Sequence, residues 1–394
     1  MSKPSVFYLS PYDILRPRTN QLSDVRFTEG FAQNDCHAHL LVPFVLRSDN
    51  ISGDAVYDTY GLKSSLHIHY LPTRFREDVH GKYQLLLVTW YAIRKVWQLL
   101  KKCEPEQPVY IISRSTHLLR PLFVLRKIFP KRFPKTYIVH WAHDFHHSRP
   151  HQLVYRKSDF ILSTNSSILQ DILIATGRKA EEGGITLNPI TDAQAREFIS
   201  KEKARLETGL NHTDKALVVY TGKLGKYYDK EIKFILAAAK KLPECQFLLT
   251  GGKPDVVQYW EDYCKGSGIE NVIFTGYIHD YNRIKYYQYA ADILLSYYTR
   301  QGHDVRYNLP NKLCEYMLSG NVIITPDYPA TRDLLNDGNC IFTEAENSEA
   351  LAHSIRNALN DPDLCRTKAE KASRDVRAIT FKNVSAQLLK KFPK

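Results

Sequence analysis

Three stretches in the second half of the chain put cations, glycines and one carboxylate where phosphate chemistry could be done. The first is TGKLGKYYDK, Thr221 to Lys230. Gly222 permits a tight exit from the apolar run before it. Lys223 and Lys230 bracket a short loop leading into a helix, so two cations and a helix N-terminus could clamp a diphosphate. Taken alone, glycine and lysine in such a loop are ordinary. The second stretch, GYIHDYNRIKYY from Gly276, offers backbone donors and acceptors at Tyr277 and Ile278 to the directional edge of a nucleotide base.

The third is YNLPNKLCEYMLSGNVIITPD, Tyr307 to Asp327. Pro310 suits the first turn of a helix, where its missing N–H costs nothing, and Gly320 suits a left-handed cap before the run Val322 to Thr325. These signals predict a helix over 311–319 with Leu313, Met317 and Leu318 on its buried face. Lys312 and Glu315 stand three residues apart and so neighbour each other on the helix surface, as a plain surface ion pair does. The chemical alternative has the N–H groups of Asn311, Lys312 and Leu313 facing a diphosphate while Glu315 accepts hydrogen bonds from two ribose hydroxyls. Tyr307, Asn308, Leu309 and Pro310 lead into that helix and line the same ligand.

The elements that must hold these stretches follow from hydrophobic periodicity. The first half alternates candidate strands (Val6 to Leu9, His39 to Val42, Leu66 to Tyr70, Val109 to Ile112, Tyr137 to His140, Phe160 to Ser163, Ile185 to Leu187) with amphipathic stretches such as Gln21 to Phe31, Lys82 to Lys102, His117 to Ile128 and Ser167 to Ala175. After Asn188-Pro189 the pattern loosens into a charged segment, where the domain join is placed, at about 190 to 210. The strand–helix rhythm then restarts at Leu217. A helix from Ser348 is capped by Asn347 or Ser348, and a last helix near Val384 to Lys391 returns to the first domain. Such alternation implies α/β architecture: two Rossmann-like doubly wound parallel-sheet domains, 1–195 and 205–379, with 380–394 rejoining the first. Their ligand-binding crevices face a cleft.

The 394 residues are comfortable for two domains, and seven scattered cysteines without CxxC spacing suit a reduced cytoplasm. The most apolar stretch, Tyr83 to Leu100, is interrupted by Arg94 and Lys95 and makes a poor membrane span. Net charge is +12, and the segment from Arg94 to Lys157 holds fourteen basic residues against three acids, almost the whole surplus. Within it RPLFVLRKIFPKRFPK, Arg120 to Lys135, interleaves cations with apolar residues as an interfacial helix on anionic lipid does. A solvated rim over a core-facing helix explains it as well. Nucleic acid is a weaker partner, because no DNA or RNA motif accompanies the charge.

Taken in order, GKL with a later lysine, GY after a strand, and PNKLCEYMLSG before a strand resemble the C-terminal domain of glycosyltransferase family 4 enzymes of the GT-B fold. The resemblance covers roughly Leu217 to Leu359. It implies that Lys223 and Lys230 bind the donor's diphosphate and that Glu315 is the second, ribose-binding glutamate of the family's E-x7-E pair. Eight residues earlier stands Tyr307, so the carboxylate expected on the donor sugar is missing. It implies a hexosyltransferase-type enzyme that moves a sugar from a nucleotide diphosphate sugar such as a UDP-sugar to a glycan or lipid-linked acceptor in envelope, exopolysaccharide or lipopolysaccharide synthesis. Retention is favoured, with inversion open, and no metal is needed because cations and helix ends neutralise the leaving diphosphate. The expected place is cytoplasmic, peripheral on the inner membrane face.

In the first half, Arg16, Arg18, Thr19 and Asn20 follow the first strand and are candidate acceptor-binding residues, against the plainer reading of Asn20 as a helix cap. Past the strand Tyr137 to His140, His143 best fits the family's histidine at the donor sugar, with His140 the alternative, and Asp144 beside it is a candidate general base. The cluster His140, His143, His146, His147 and His151 also raises a lesser metal reading. Rival functions are a nucleotide-sugar 2-epimerase on the same fold and a nucleic-acid-binding or DNA-glucosylating protein.

Overall fold

The computed structural model describes residues 2–14, 19–45, 57, 59–62, 66–73, 82–212, 214–225, 230–300 and 304–394. They divide into two compact units, Met1–Thr186 with Phe381–Lys394, and Leu187–Thr380.

The first unit runs β1 (Ser5–Leu9), α1 (Thr19–Ala32), β2 (His37–Val45), β3 (His67–Thr73), α2 (Lys82–Leu100), β4 (Val109–Ser113), α3 (Thr116–Ile128), β5 (Thr136–Ala142), α4 (Arg149–Lys157), β6 (Phe160–Ser163), α5 (Ser166–Thr176) and β7 (Gly183–Ile185). The seven strands form one sheet in the order β3-β2-β1-β4-β5-β6-β7, with every pairing parallel. Strands such as β1 and β4 are buried at every residue, because helices cover both faces of a parallel sheet. β7 ends before Leu187, which the sequence placed inside it. Leu187 has φ 55°, a left-handed backbone that no strand continues through. The sequence pattern also passed over α4, whose RPHQLVYRK buries only Val154 and Tyr155.

The second unit continues with α6 (Asp192–Arg196), α7 (Lys201–Thr208), β8 (Ala216–Thr221), α8 (Lys230–Lys240), β9 (Cys245–Thr250), α9 (Pro254–Ser267), β10 (Val272–Phe274), α10 (Tyr281–Ala290), β11 (Ile293–Leu295), α11 (Lys312–Ser319), β12 (Val322–Pro326), β13 (Ile341–Thr343), α12 (Ser348–Asn360) and α13 (Pro362–Arg377). Its six strands are ordered β10-β9-β8-β11-β12-β13, again parallel. The charged segment read as a domain join is instead α6 and α7, capped by the Thr191 and Ser200 side chains, with α7 packed on α10. The split therefore falls at Thr186, earlier than the loosened pattern suggested. Three-residue β13 and alanine-faced α13, which buries Ala369, Ala372 and Val376, gave the sequence no strong periodic signal. The last helix, α14 (Phe381–Lys391), lies on α1, where Asn34 donates to the Lys382 carbonyl at 2.8 Å.

Candidate functional site

In the second sheet the strand order reverses between β8 and β11, which are neighbours although β9 and β10 intervene in sequence. Loops leaving the carboxyl ends of strands at such a point form the ligand crevice of doubly wound sheets. Three of those exits are tied together by backbone. The Gly251 N–H donates to the Gly276 carbonyl at 2.9 Å. Gly251 has φ 107°, and a Cβ there would stand 2.0 Å from the Gly222 oxygen, so only glycine lets the β8 and β9 exits approach this closely. Gly251 is absent from the sequence-based site set, and the paired glycines after an apolar run are the signal that marks it.

Lys223 is exposed on the β8 exit, and the loop behind it is held where Trp260 donates to the Gly225 carbonyl at 2.9 Å. Lys230 is the first residue of α8, so its backbone belongs to that helix's N-terminus. Tyr277, 66% exposed, and half-buried Ile278 follow Gly276 on the β10 exit.

α11 closes the site from the β11 side. Gly320, with φ 72°, caps it in the left-handed conformation. Leu313, Met317 and Leu318 are buried as expected, and Cys314 and Tyr316 join them. Lys312 and Glu315 do not make the surface pair that their spacing suggests. The Lys312 ammonium turns inward, 3.8 Å from the centre of the Tyr220 ring and 5.0 Å from that of Tyr298, and donates to the Thr221 carbonyl at 3.1 Å. Burial pulls its pKa down to about 7, against an opposing pull from Glu231. Glu315 turns the other way and accepts from Gln288 Nε2 at 2.9 Å, and burial pushes its carboxyl up to about 7. Tyr316 hydroxyl accepts from the Thr221 N–H at 2.8 Å, so α11 grips the end of β8 at both backbone atoms of Thr221.

The entry to α11 departs from expectation at one point. The Leu313 N–H already donates to the Pro310 carbonyl at 3.1 Å and is not available to a ligand, so any anion there meets the start of the helix at Asn311 and Lys312. Asn311 is exposed and makes no side-chain cap. Tyr307 and Asn308 close a turn by donating to the Asp304 carbonyl at 3.0 and 2.8 Å, and Leu309 is buried with its carbonyl accepting from Asn188 at 2.7 Å.

Residues 215–361, the span that contains all of these loops, match the family model for glycosyl transferases group 1. The second unit carries a glycosyl transferases group 1 domain. The whole chain superposes on solved GT-B enzymes. Anabaena Alr3699/HepE in complex with UDP gives a TM-score of 0.68 at 16% identity, covering 98% of both chains. Sucrose-phosphate synthase from Thermosynechococcus elongatus gives 0.69 at 16%, and the lipopolysaccharide outer core galactosyltransferase WaaB in its apo form 0.66 at 14%, each covering 98% of both chains. Those superpositions establish the fold, which is GT-B. No curated protein sequence matches the chain.

The first unit has its own strand-order reversal, between β1 and β4. Asp24 is fully buried there, accepting from Tyr8 hydroxyl at 2.7 Å and Ser10 hydroxyl at 2.6 Å, and pairing with Arg114 at 2.5 Å. Burial raises the Asp24 pKa, and Arg114, Ser10 and Tyr8 pull it back. Arg114 also lies 4.9 Å from the centre of the Trp141 ring, which in turn lies 4.5 Å from that of His143. None of Tyr8, Ser10, Asp24 and Arg114 was among the residues singled out by sequence.

His143 is exposed immediately after β5. Desolvation first, then the charges of Arg114 and His140, hold its imidazole well below the ordinary value, so it is neutral at pH 7. His140, the alternative, is inside β5, 2% exposed and pushed down to about 3 by burial, so it cannot meet a ligand from a loop. Asp144 is exposed and accepts from the Phe145 N–H at 2.9 Å. The five histidines do not converge, and among the described residues no group of three or more His, Cys, Asp or Glu could hold a metal ion. Arg16 and Arg18 lie outside the described residues. Thr19 opens α1, and Asn20 is its exposed second residue, inside the helix and so not its cap.

Proposed function

We propose that the protein is a glycosyltransferase of the family 4 type that moves a sugar from a nucleoside diphosphate sugar to a hydroxyl of a glycan or lipid-linked acceptor in cell-envelope or exopolysaccharide assembly. One observation carries the reading: at the strand-order reversal of the second sheet α11 holds the end of β8 through Thr221, directly before Gly222 and Lys223, and Gly251, packed against Gly222, bonds that exit's neighbour to the Gly276–Ile278 exit. Lys223 and Lys230, with the first turns of α8 and α11, stabilise the charge that grows on the departing nucleoside diphosphate, the kind of preorganised electrostatic help that dominates much of catalysis. These groups do that without a metal. Glu315 accepts from the ribose hydroxyls, while backbone at Tyr277 and Ile278 meets the base. HepE was solved with UDP, which makes UDP the first nucleotide to try.

In the first unit, His143 stays neutral and so has a hydrogen bond rather than a cation to offer a sugar. Tyr307, in place of a carboxylate, makes the contacts to that sugar neutral too. Retention of configuration is the favoured outcome; Asp144 is the base an inverting route needs.

Calorimetry with UDP, GDP and their glucose conjugates tests the reading. The expected result is binding by one nucleoside diphosphate, unchanged by a chelator and weakened in both Glu315→Ala and Lys223→Ala. Equal affinity in both variants, or no binding of any of these ligands, overturns it.

A further inference from the structure

α2 and α3 pack side by side and lay their inner faces on one side of the first sheet, against Phe7, Leu9 and Ile111, so their outer faces point the same way. The core needs are met from within: α2 contributes Val88, Ala92 and Val96, and α3 contributes Leu118, Leu119 and Leu122. Yet apolar side chains also stand on the outside. On α2 these are Leu86, 66% exposed, its less exposed neighbour Leu87, and Trp90, 52% exposed, followed one turn later by Arg94, whose guanidinium lies 5.5 Å from the Trp90 ring centre. On α3 the exposed stripe is Arg120, Val124, Lys127 and Ile128, with Val124 57% and Ile128 60% exposed. The steps of four, three and one hold all four on a single helical face.

Neither helix contains an aspartate or glutamate anywhere in its length. A solvated rim, the plainer expectation, would mix both charge signs and leave apolar side chains scattered singly. What is found is one-signed and stripes of cation and hydrocarbon alternate, the pattern of an interfacial surface: the apolar groups reach the acyl boundary while the cations stay among the headgroups. A tryptophan partnered by an arginine fits the same depth, its ring wet on one side and apolar on the other. No helix among the described residues is long and apolar enough to cross a membrane, so the contact is with a surface.

We propose that the outer faces of α2 and α3 dock the protein on an anionic lipid surface, with Trp90, Val124 and Ile128 inserted and Arg94, Arg120 and Lys127 on the headgroup phosphates. This stands apart from the donor site in the second unit and survives or fails without it. Each cation near such a surface contributes about fivefold in partitioning, so three give on the order of a hundredfold preference for anionic over neutral lipid at low salt, reduced as salt rises.

Co-flotation with vesicles of pure phosphatidylcholine and of equimolar phosphatidylcholine and phosphatidylglycerol reads this directly. Wild type is expected to float with the anionic vesicles only, and Val124→Glu/Ile128→Glu to lose at least about tenfold in partitioning. Both changes sit at exposed positions; should that variant fold poorly, Arg120→Glu/Lys127→Glu asks the same question without touching apolar contacts. Failure of wild type to float at low salt, or equal flotation of the variants, overturns the proposal. So does light scattering that shows the face buried in a dimer, or duplex DNA binding in place of the vesicles.

Discussion

The Lys312 ammonium lies 3.8 Å from the centre of the Tyr220 ring and donates to the carbonyl of the next residue, Thr221. A lysine one residue into α11 thus fastens the last residue of β8, directly before Gly222 and Lys223. With Tyr316 holding the Thr221 N–H, the Gly222–Lys223 loop is positioned by α11, which also carries Glu315. Lys312 thus holds Thr221 in place, and in the proposed reading it is a positioning residue.

Replacing it separates position from charge. Lys312→Met keeps the hydrocarbon among the tyrosines but releases the Thr221 carbonyl, so nucleotide affinity should fall about tenfold, the upper end for one hydrogen bond. Stability should respond in a defined window. The folded pKa is lowered to about 7, so between there and the ordinary lysine value the unfolded chain binds more protons than the native one, and stability rises with pH. Urea midpoints at pH 7 and pH 9 should climb more in wild type than in Lys312→Met. Parallel curves in the two proteins would discard this account of the cage.

Glu315 behaves in the opposite sense. Its folded pKa is raised to about 7 by burial, so from the ordinary carboxylate value up to there the native state binds the extra proton and stability falls as pH rises, the full cost being present above pH 7. Glu315→Gln keeps an acceptor for Gln288 and removes the buried charge. At pH 8 this variant should melt a few degrees higher, about 2–4 °C for each kcal/mol in a unit of this size. It should at the same time lose at least about tenfold in nucleotide affinity. A lower melting temperature together with unchanged affinity would mean that the carboxylate is structural.

That trade-off also shows what could be read from sequence. The helix, its proline entry and its glycine end were legible, because each is a local consequence of backbone chemistry. Spacing put Lys312 beside Glu315 and stopped there, since i,i+3 geometry fixes neighbouring roots but not the direction of two long side chains. The partners that decide it, Tyr220, Thr221 and Gln288, come from two other elements. The Asp24–Arg114 pair was hidden for the same reason, ninety positions apart in a chain where single acids and arginines are common. Gly251 was visible and overlooked.

A local prediction checks the second unit's frame. Asn347 caps α12, its Oδ1 accepting from the Glu349 and Ala350 N–H groups at 3.0 and 3.1 Å. Asn347→Ala should cost about 1 kcal/mol, seen as a melting temperature lower by about 2–4 °C with nucleotide affinity unchanged. A drop in affinity as well would tie α12 to the ligand.

The last prediction concerns the first unit's buried pair. Asp24→Asn leaves Arg114 charged and enclosed without its counter-ion, which should cost about 3–5 kcal/mol. Asp24→Asn/Arg114→Met removes both charges and should recover part of that loss, because the two sites share one interaction and are not additive. Arg114→Met has a second readout that a purely structural role would not move. The guanidinium charge is among the causes that hold His143 neutral, so its removal should raise the His143 pKa, which proton NMR titration of the imidazole follows directly. If the double variant is no more stable than Asp24→Asn and the His143 titration stays where it was, the pair neither depends on charge compensation nor sets the state of that histidine.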